Sequence, residues 1–299
     1  MTSRPSRPIR PRRSVLYMPG SNARALEKAK GLPADALILD LEDAVAPDAK
    51  ETARDQVCAA VAGGGYGYRE LIIRINGLET EWGTADLEAA VKARPDGILV
   101  PKIDGPEAVG AADTLMAQAG AGPELAMWAM METPLAMLRA EAIAARARDT
   151  RLAAFVMGTN DLVKDLGALQ TPDRLPLVTG LSLTLLAGKA YGLALIDGVH
   201  NGIQDQDGFI EVCRQGLAFG FDGKTLIHPS QVQPCNQVFT PETQAVDWAR
   251  TIIAEFEKPE NAAKGVVQVE GRMVERLHAE QARRLVDLAE AIETMEAAV

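Results

Sequence analysis

Cysteine is scarce in this chain, with Cys58, Cys213 and Cys235 the only three among 299 residues. Their odd number and wide spacing give no disulfide framework and no paired-thiolate metal motif, and they fit free thiols in a reducing cytoplasm. Histidine is as sparse, and His200, His228 and His278 are too scattered for an imidazole-rich zinc centre. His228, in Ile-His-Pro, reads as a supporting residue. Positive charge is short as well: 31 Lys and Arg face 41 Asp and Glu, a net charge of −10. No basic face therefore points to nucleic acid or to an anionic membrane as a partner. No apolar run approaches the ~18 residues of a membrane span. The basic cluster Arg4, Arg7, Arg10, Arg12 and Arg13 is interleaved with proline, and no apolar stretch follows it. Residues 1–12 therefore read as a disordered basic tail of a cytoplasmic protein rather than a signal peptide.

What the chain does have is alternation. Apolar runs at Ser14–Gly20, Ala36–Asp43, Leu71–Asn76, Gly97–Lys102, Glu124–Glu132, Leu152–Gly158, Leu193–Gly198 and Thr225–His228 read as strands, most of them followed by a helical pattern. Runs without polar alternation indicate strands buried on both faces, as in a parallel sheet with helical crossovers. Eight such units fit an α/β fold of the (β/α)8 TIM-barrel type, over residues 13–240. A dinucleotide-binding sheet would need a glycine fingerprint after its first strand, and Pro-Gly-Ser-Asn is not one. Residues 241–299 are surplus to the barrel. They predict a helix starting at Thr240-Pro241 and running to Glu257, and a polar linker over 259–264. A hairpin turning at Glu270-Gly271 and a helix over 279–298 follow. A C-terminal extension of this kind is expected to act as a lid and as an oligomer contact.

Barrel active sites are assembled at the C-terminal ends of the strands. Here those ends carry Asp40, Glu42 and Asp43, Arg74 and Asn76, Lys102, Glu132, Asn160 and Asp161, Asp197, and His228. Any one of them has a plain explanation as a turn or cap residue, but seven such ends converging create one site. Glu132 and Asp161 have no basic residue beside them in sequence, which suggests a metal ion rather than an ion pair. Two carboxylates without His or Cys suit a hard cation such as Mg2+ that keeps waters and takes substrate oxygens. Lys102 is the one strand-end lysine suited to Schiff-base chemistry.

With these strand ends laid out, the sequence resembles the citrate lyase beta-subunit family of the HpcH/HpaI aldolase superfamily. The matching stretches are Arg13-Ser-Val-Leu-Tyr-Met-Pro-Gly-Ser21, Ala36-Leu-Ile-Leu-Asp-Leu-Glu-Asp-Ala-Val45, Arg74-Ile-Asn76, Met131-Glu-Thr-Pro134, Gly158-Thr-Asn-Asp-Leu162, Leu195-Ile-Asp-Gly-Val199 and Gly220-Phe-Asp-Gly-Lys-Thr-Leu-Ile-His-Pro229. The resemblance implies a magnesium-dependent barrel, with Mn2+ as a possible substitute, that acts on CoA thioesters as a homotrimer or homohexamer. It implies Glu132 and Asp161 as metal ligands, Arg74 as the arginine that holds substrate oxygens, and Asp40 and Glu42 as an acidic pair below the metal. Gly158, Thr159 and Asn160 would meet the carboxylate of the small acid, as helix N-termini do. Tyr17, Arg24 and Lys28 would belong to the CoA pocket. Where many members carry Asp in a Val-Asp-x-Pro-like stretch, this chain has Glu275 in Met-Val-Glu-Arg. Glu275 is then the candidate proton carrier, working from a neighbouring subunit.

The expected chemistry is retro-Claisen cleavage of a 3-hydroxyacyl-CoA such as malyl-CoA, methylmalyl-CoA or citramalyl-CoA. The products would be an acyl-CoA and a 2-oxo acid, glyoxylate or pyruvate. The alternative is a malyl-CoA thioesterase on the same metal site. A catalytically idle CoA-binding subunit would lack a metal carboxylate, and both carboxylates are present.

Overall fold

A computed structural model describes residues 9–261 and 263–298. The chain divides into two compact units, Arg12–Phe239 and a second that groups the described residues up to Pro11 with those from Thr240 onward. In the first, β1 (Ser14–Pro19) leads to α1 (Ala23–Ala29), β2 (Ala36–Asp40) to α2 (Lys50–Gly63), β3 (Glu70–Arg74) to α3 (Gly83–Ala93), and β4 (Gly97–Val100) to α4 (Pro106–Gln118). Next, β5 (Ala126–Met131) precedes the short α5 (Pro134–Leu138) and α6 (Ala140–Ala145), and β6 (Leu152–Met157) precedes α7 (Thr159–Leu166) and α8 (Val178–Tyr191). Finally β7 (Ala194–Asp197) leads to α9 (Gln206–Phe219) and β8 (Gly223–Leu226) to α10 (Val232–Phe239). All eight strands are parallel in sequential order, and β8 closes the barrel on β1 through Ser14↔Lys224 and Leu16↔Leu226. This is the (β/α)8 architecture expected from the alternating runs.

The two faces of each strand pack differently. Val15, Ile38, Ile72, Leu99, Trp128, Val156 and Ile196 fill the barrel interior. Their neighbours Leu16, Leu37, Leu39, Ile73, Ile98, Phe155 and Leu195 pack outward against the helices. Burial on both faces explains why the strands read as unbroken apolar runs. At the base, Arg12 pairs with Glu70 through Nε (2.5 Å) and Nη2 (2.8 Å), and its guanidinium lies 5.3 Å from the Trp128 ring. Arg12 was grouped with the tail on its proline-rich neighbourhood; it is a working part of the barrel floor. Arg13 likewise pairs with buried Asp35 at 2.9 Å. Arg4 and Arg7 of the expected tail lie outside the described residues.

Two boundaries move for physical reasons. Strand β8 begins at Gly223, two residues before the expected Thr225, because Lys224 is wholly buried against Asp197 rather than marking a turn. It ends at Leu226, so His228 lies beyond it and caps a 3₁₀ turn, its Nδ1 accepting from the Ser230 N–H. In the second unit, α11 (Thr243–Glu257) starts after Glu242, whose ψ of 138° is extended, so Pro241 sits outside the helix rather than at its first position. The hairpin of β9 (Val266–Val269) and β10 (Arg272–Glu275) turns at Glu270 and Gly271, with φ of 47° and 81°. Positive φ at both turn residues matches strand twist in a two-residue hairpin. Helix α12 (Arg276–Ala297) follows, and Val246, Ile252, Phe256, Val267, Val274 and Val286 form this unit's own core. Among the described residues no helix is long and apolar enough to cross a membrane.

Candidate active site

The ends of β2 and β3 place Asp40 and Arg74 opposite one another in register. Arg74 donates through Nε to Asp40 Oδ1 (2.7 Å) and through Nη2 to Asp40 Oδ2 (2.6 Å). Asp40 also accepts from the N–H groups of Glu42 (2.8 Å) and Ala44 (3.1 Å), so both of its oxygens are committed. Asp40 therefore aims Arg74 and shapes the loop; it has little capacity left to orient metal waters. The guanidinium edge left over is Nη1, which lies 2.9 Å from Glu42 Oε2 and 3.1 Å from Asp43 Oδ2. Tyr17 lies beneath it, with its ring 4.9 Å from the guanidinium carbon. Burial raises the Tyr17 phenol well above its ordinary range, so it stays neutral. Arg24 and Lys28, grouped with Tyr17 by sequence, are exposed on α1.

Glu42 is unusual. Its Oε2 is buried and, although close to Arg74, makes no aligned hydrogen bond. Burial pushes its carboxyl up to about 8; Arg74 pulls the other way, while Asp43, Glu132 and Asp40 add to the rise. Lys50, which sequence reasoning passed over, anchors this loop by donating to the carbonyls of Leu41 (2.9 Å) and Glu42 (2.7 Å). A lysine in a helix that ends in an apolar face carries no sequence signal for that role.

Glu132 follows β5 and is 1% exposed. Gly158 packs on it so closely that a Cβ there would lie 2.6 Å from Glu132 Oε2, which explains a glycine at this helix start. Sequence reasoning named Lys102 as a strand end and a Schiff-base candidate but missed its pairing: its ammonium lies 2.9 Å from Asp161 Oδ1 and 3.5 Å from Glu132 Oε1. Its φ of 54° is rare for a side-chain-bearing residue, and its backbone N–H also donates to Glu132 Oε1 at 2.8 Å. The premise that Glu132 and Asp161 have no cation near them is thus wrong in space, and for Asp161 it also overlooked Lys164, three residues on and 3.2 Å away. Burial raises the Glu132 carboxyl despite Lys102. Burial also pulls Asp161 up, but hydrogen bonds from Lys102 and Lys164 outweigh it and hold that carboxyl low.

Other expected residues divide. Gly158 precedes α7, and Thr159 and Asn160 open it, where N–H groups lack partners within the helix. The Asn160 side chain is engaged with Asn201 and Gln170. Asn76 is drawn away into a buried bond with Asp86 (2.6 Å) and the Leu41 carbonyl (2.9 Å). Asp197 faces outward, held by Lys224 (2.9 Å) and Arg174 (2.7 Å). It does not converge with the other strand ends. Glu275, in the second unit, is exposed and caps α12, its side chain accepting from the His278 N–H while its own N–H donates to His278 Nδ1 (2.9 Å).

A divalent ion suits the pair on Glu132 and Asp161. The ammonium of Lys102 stands where a cation would, between two carboxylates of which one is almost fully buried. The donors are hard oxygens, and among the described residues no cluster of three or more His, Cys, Asp and Glu is arranged to hold a metal. A site of two carboxylates completed by water and substrate oxygens is the arrangement magnesium favours.

A parallel eightfold barrel whose mouth gathers carboxylates, an aimed arginine and an open helix start has the architecture of the (β/α)8 barrel enzymes. The family model for HpcH/HpaI aldolase/citrate lyase matches residues 13–229, and the chain belongs to that family. It is 51% identical to a (3S)-malyl-CoA thioesterase of Cereibacter sphaeroides, over 94% of this chain and 96% of that one. It is 34% identical to the citrate lyase subunit beta of Escherichia coli, over 95% of each chain. Among solved structures, CitE of Mycobacterium tuberculosis in complex with magnesium, acetoacetate and coenzyme A matches with a TM-score of 0.74 and 27% identity, covering 93% of this chain and 97% of that one. The expectation of a carbon–carbon lyase is corrected by this ordering. The thioesterase name sits on the relative at 51% identity, and the lyase name on one at 34%.

Proposed function

We propose that this chain is a magnesium-dependent thioesterase that hydrolyses (3S)-malyl-CoA, or a close 3-hydroxy dicarboxylic acyl-CoA, to the free acid and CoA. The observation that carries the reading is 51% identity along nearly the whole length of a protein of that name. Glu132 and Asp161 would hold the ion, which supplies Lewis-acid polarisation of a substrate oxygen. Arg74, fixed through two bonds to Asp40, presents Nη1 to the oxygen on which charge develops. The N–H groups that open α7 receive the distal carboxylate, favoured by the helix dipole. Glu42, kept largely protonated near neutral pH, is the group in the cluster able to exchange a proton with the attacking water or the departing thiolate. Arg24 and Lys28, one turn apart on exposed α1, suit the phosphates of CoA. Glu275 acting from a neighbouring subunit of a homotrimer or homohexamer is the remaining part of the reading. Mixed oligomers of Glu132→Ala and Glu275→Gln chains that stay inactive would remove it.

The test is product identity. Purified protein given (3S)-malyl-CoA and Mg2+ should release free thiol and malate in equal amounts, and a chelator should stop it. Acetyl-CoA and glyoxylate formed in place of thiol and malate would overturn the proposal, as would full turnover in the presence of the chelator.

A further inference from the structure

Lys102 has no part in the reaction as drawn above, yet its geometry is costly and specific. The residue holds φ at 54°, a conformation that disfavours side chains and persists when the surroundings impose it. The outcome is a double hold on Glu132 Oε1, by the backbone N–H at 2.8 Å and by Nζ at 3.5 Å, while the same Nζ reaches Asp161 Oδ1 at 2.9 Å. Two carboxylates sharing one site repel unless a positive charge lies between them. Of the other cations, Lys164 is 3.2 Å from Asp161 but 71% exposed, so solvent screens it, and Arg74 is committed to Asp40.

We propose that Lys102 is an internal counter-cation which holds the two carboxylates in place without metal and competes with the divalent ion for them. The proposal rests on the reading that Glu132 and Asp161 are the metal ligands. The two halves of the Lys102 grip have different fates. The backbone bond to Glu132 can persist when metal enters, so the carboxylate keeps its aim. The ammonium must leave, and its side chain, 35% exposed, has a path to solvent. Metal loading is thus an exchange of one cation for another. The observed affinity is lower than the intrinsic one by the factor with which the ammonium-paired arrangement is favoured. The ammonium stays charged throughout the neutral range: burial lowers its pKa, but Asp161 and Glu132 outweigh that and raise it.

Calorimetric titration of Mn2+ and Mg2+ into metal-free protein tests this without reference to turnover. Lys102→Met, which retains the stem and the backbone bond, should bind the ion about tenfold more tightly, the equivalent of ~1.4 kcal/mol. Its metal-free form should melt below wild type, with a larger rise in Tm on adding metal. Lys102→Arg keeps a cation and should stay near the wild-type affinity. Unchanged or weaker binding by Lys102→Met would overturn the competition. Glu132→Gln should lose the ion; if it binds as wild type, the ligand assignment itself fails, whatever Lys102 does.

Discussion

Two buried carboxylates at strand ends, Asp197 as the last residue of β7 and Glu132 just after β5, differ little in exposure, at 0% and 1%. Their electrostatic settings are opposite. Asp197 takes bonds from Lys224, from Arg174 and from the Gly198 N–H, and these outweigh burial and hold its carboxyl below the ordinary range. Glu132 has one backbone N–H and one half-exposed ammonium, and burial wins. The first site is neutralised by the chain itself and closed by α9, where a Cβ on Gly216 would come within 3.0 Å of the Asp197 carboxylate. The second is short of positive charge and opens on the barrel mouth. Burial alone does not decide which way an acid's pKa moves. The balance of charge around it does.

The contrast breaks most directly through stability. Asp197→Ala strands two buried cations and should destabilise the fold by about 3–5 kcal/mol. Glu132→Gln removes a poorly compensated charge and should stay within about 1 kcal/mol of wild type. Urea unfolding of both variants decides it, and equal losses would erase the distinction. Arg74→Lys comes next. It preserves charge but forfeits the two-point grip on Asp40, so kcat/KM for the thioester should fall about 10²-fold with stability little changed. Near wild-type kinetics would reduce Arg74 to a structural role.

The smallest effect sharpens the comparison by pH. The Glu42 carboxyl is raised from 4.5 to about 8 in the folded protein. Between those values the folded state keeps a proton that the unfolded chain releases, so stability falls as pH rises through this window. In metal-free protein, Glu42→Gln should flatten that slope when unfolding is followed from roughly pH 5 to 8. An unchanged slope would mean that Glu42 is ionised at neutral pH.

The barrel was legible because its strands are apolar on both faces and its helices follow each of them. Which way a strand-end residue points was not. In a run such as Ala-Leu-Ile-Asp nothing polar sets the phase, so Asp197 looked like a partner of Glu132 although it shares the outward face of Leu195. Arg74 and Asp40 were legible as strand-end residues, but their mutual bond was not, since 34 residues separate them. Lys102 was visible as a strand end and as a Schiff-base candidate, not as the partner of two carboxylates. Its reach to Glu132 and Asp161 depends on a backbone twist that no neighbouring glycine announces. Glu275 was legible as a departure in a motif, and the structure adds its capping bond to α12.

At the barrel floor the Arg12–Glu70 pair and the Trp128 ring fill the axis. In terms of traffic, the barrel is a cul-de-sac. Whatever enters at the mouth has to back out the way it came. On the proposed hydrolysis, two products of unequal size would share that one exit, and a compact acid seated deepest would leave only after the bulkier carrier above it had moved aside. Inhibition patterns with each product alone would therefore differ in kind and not only in strength.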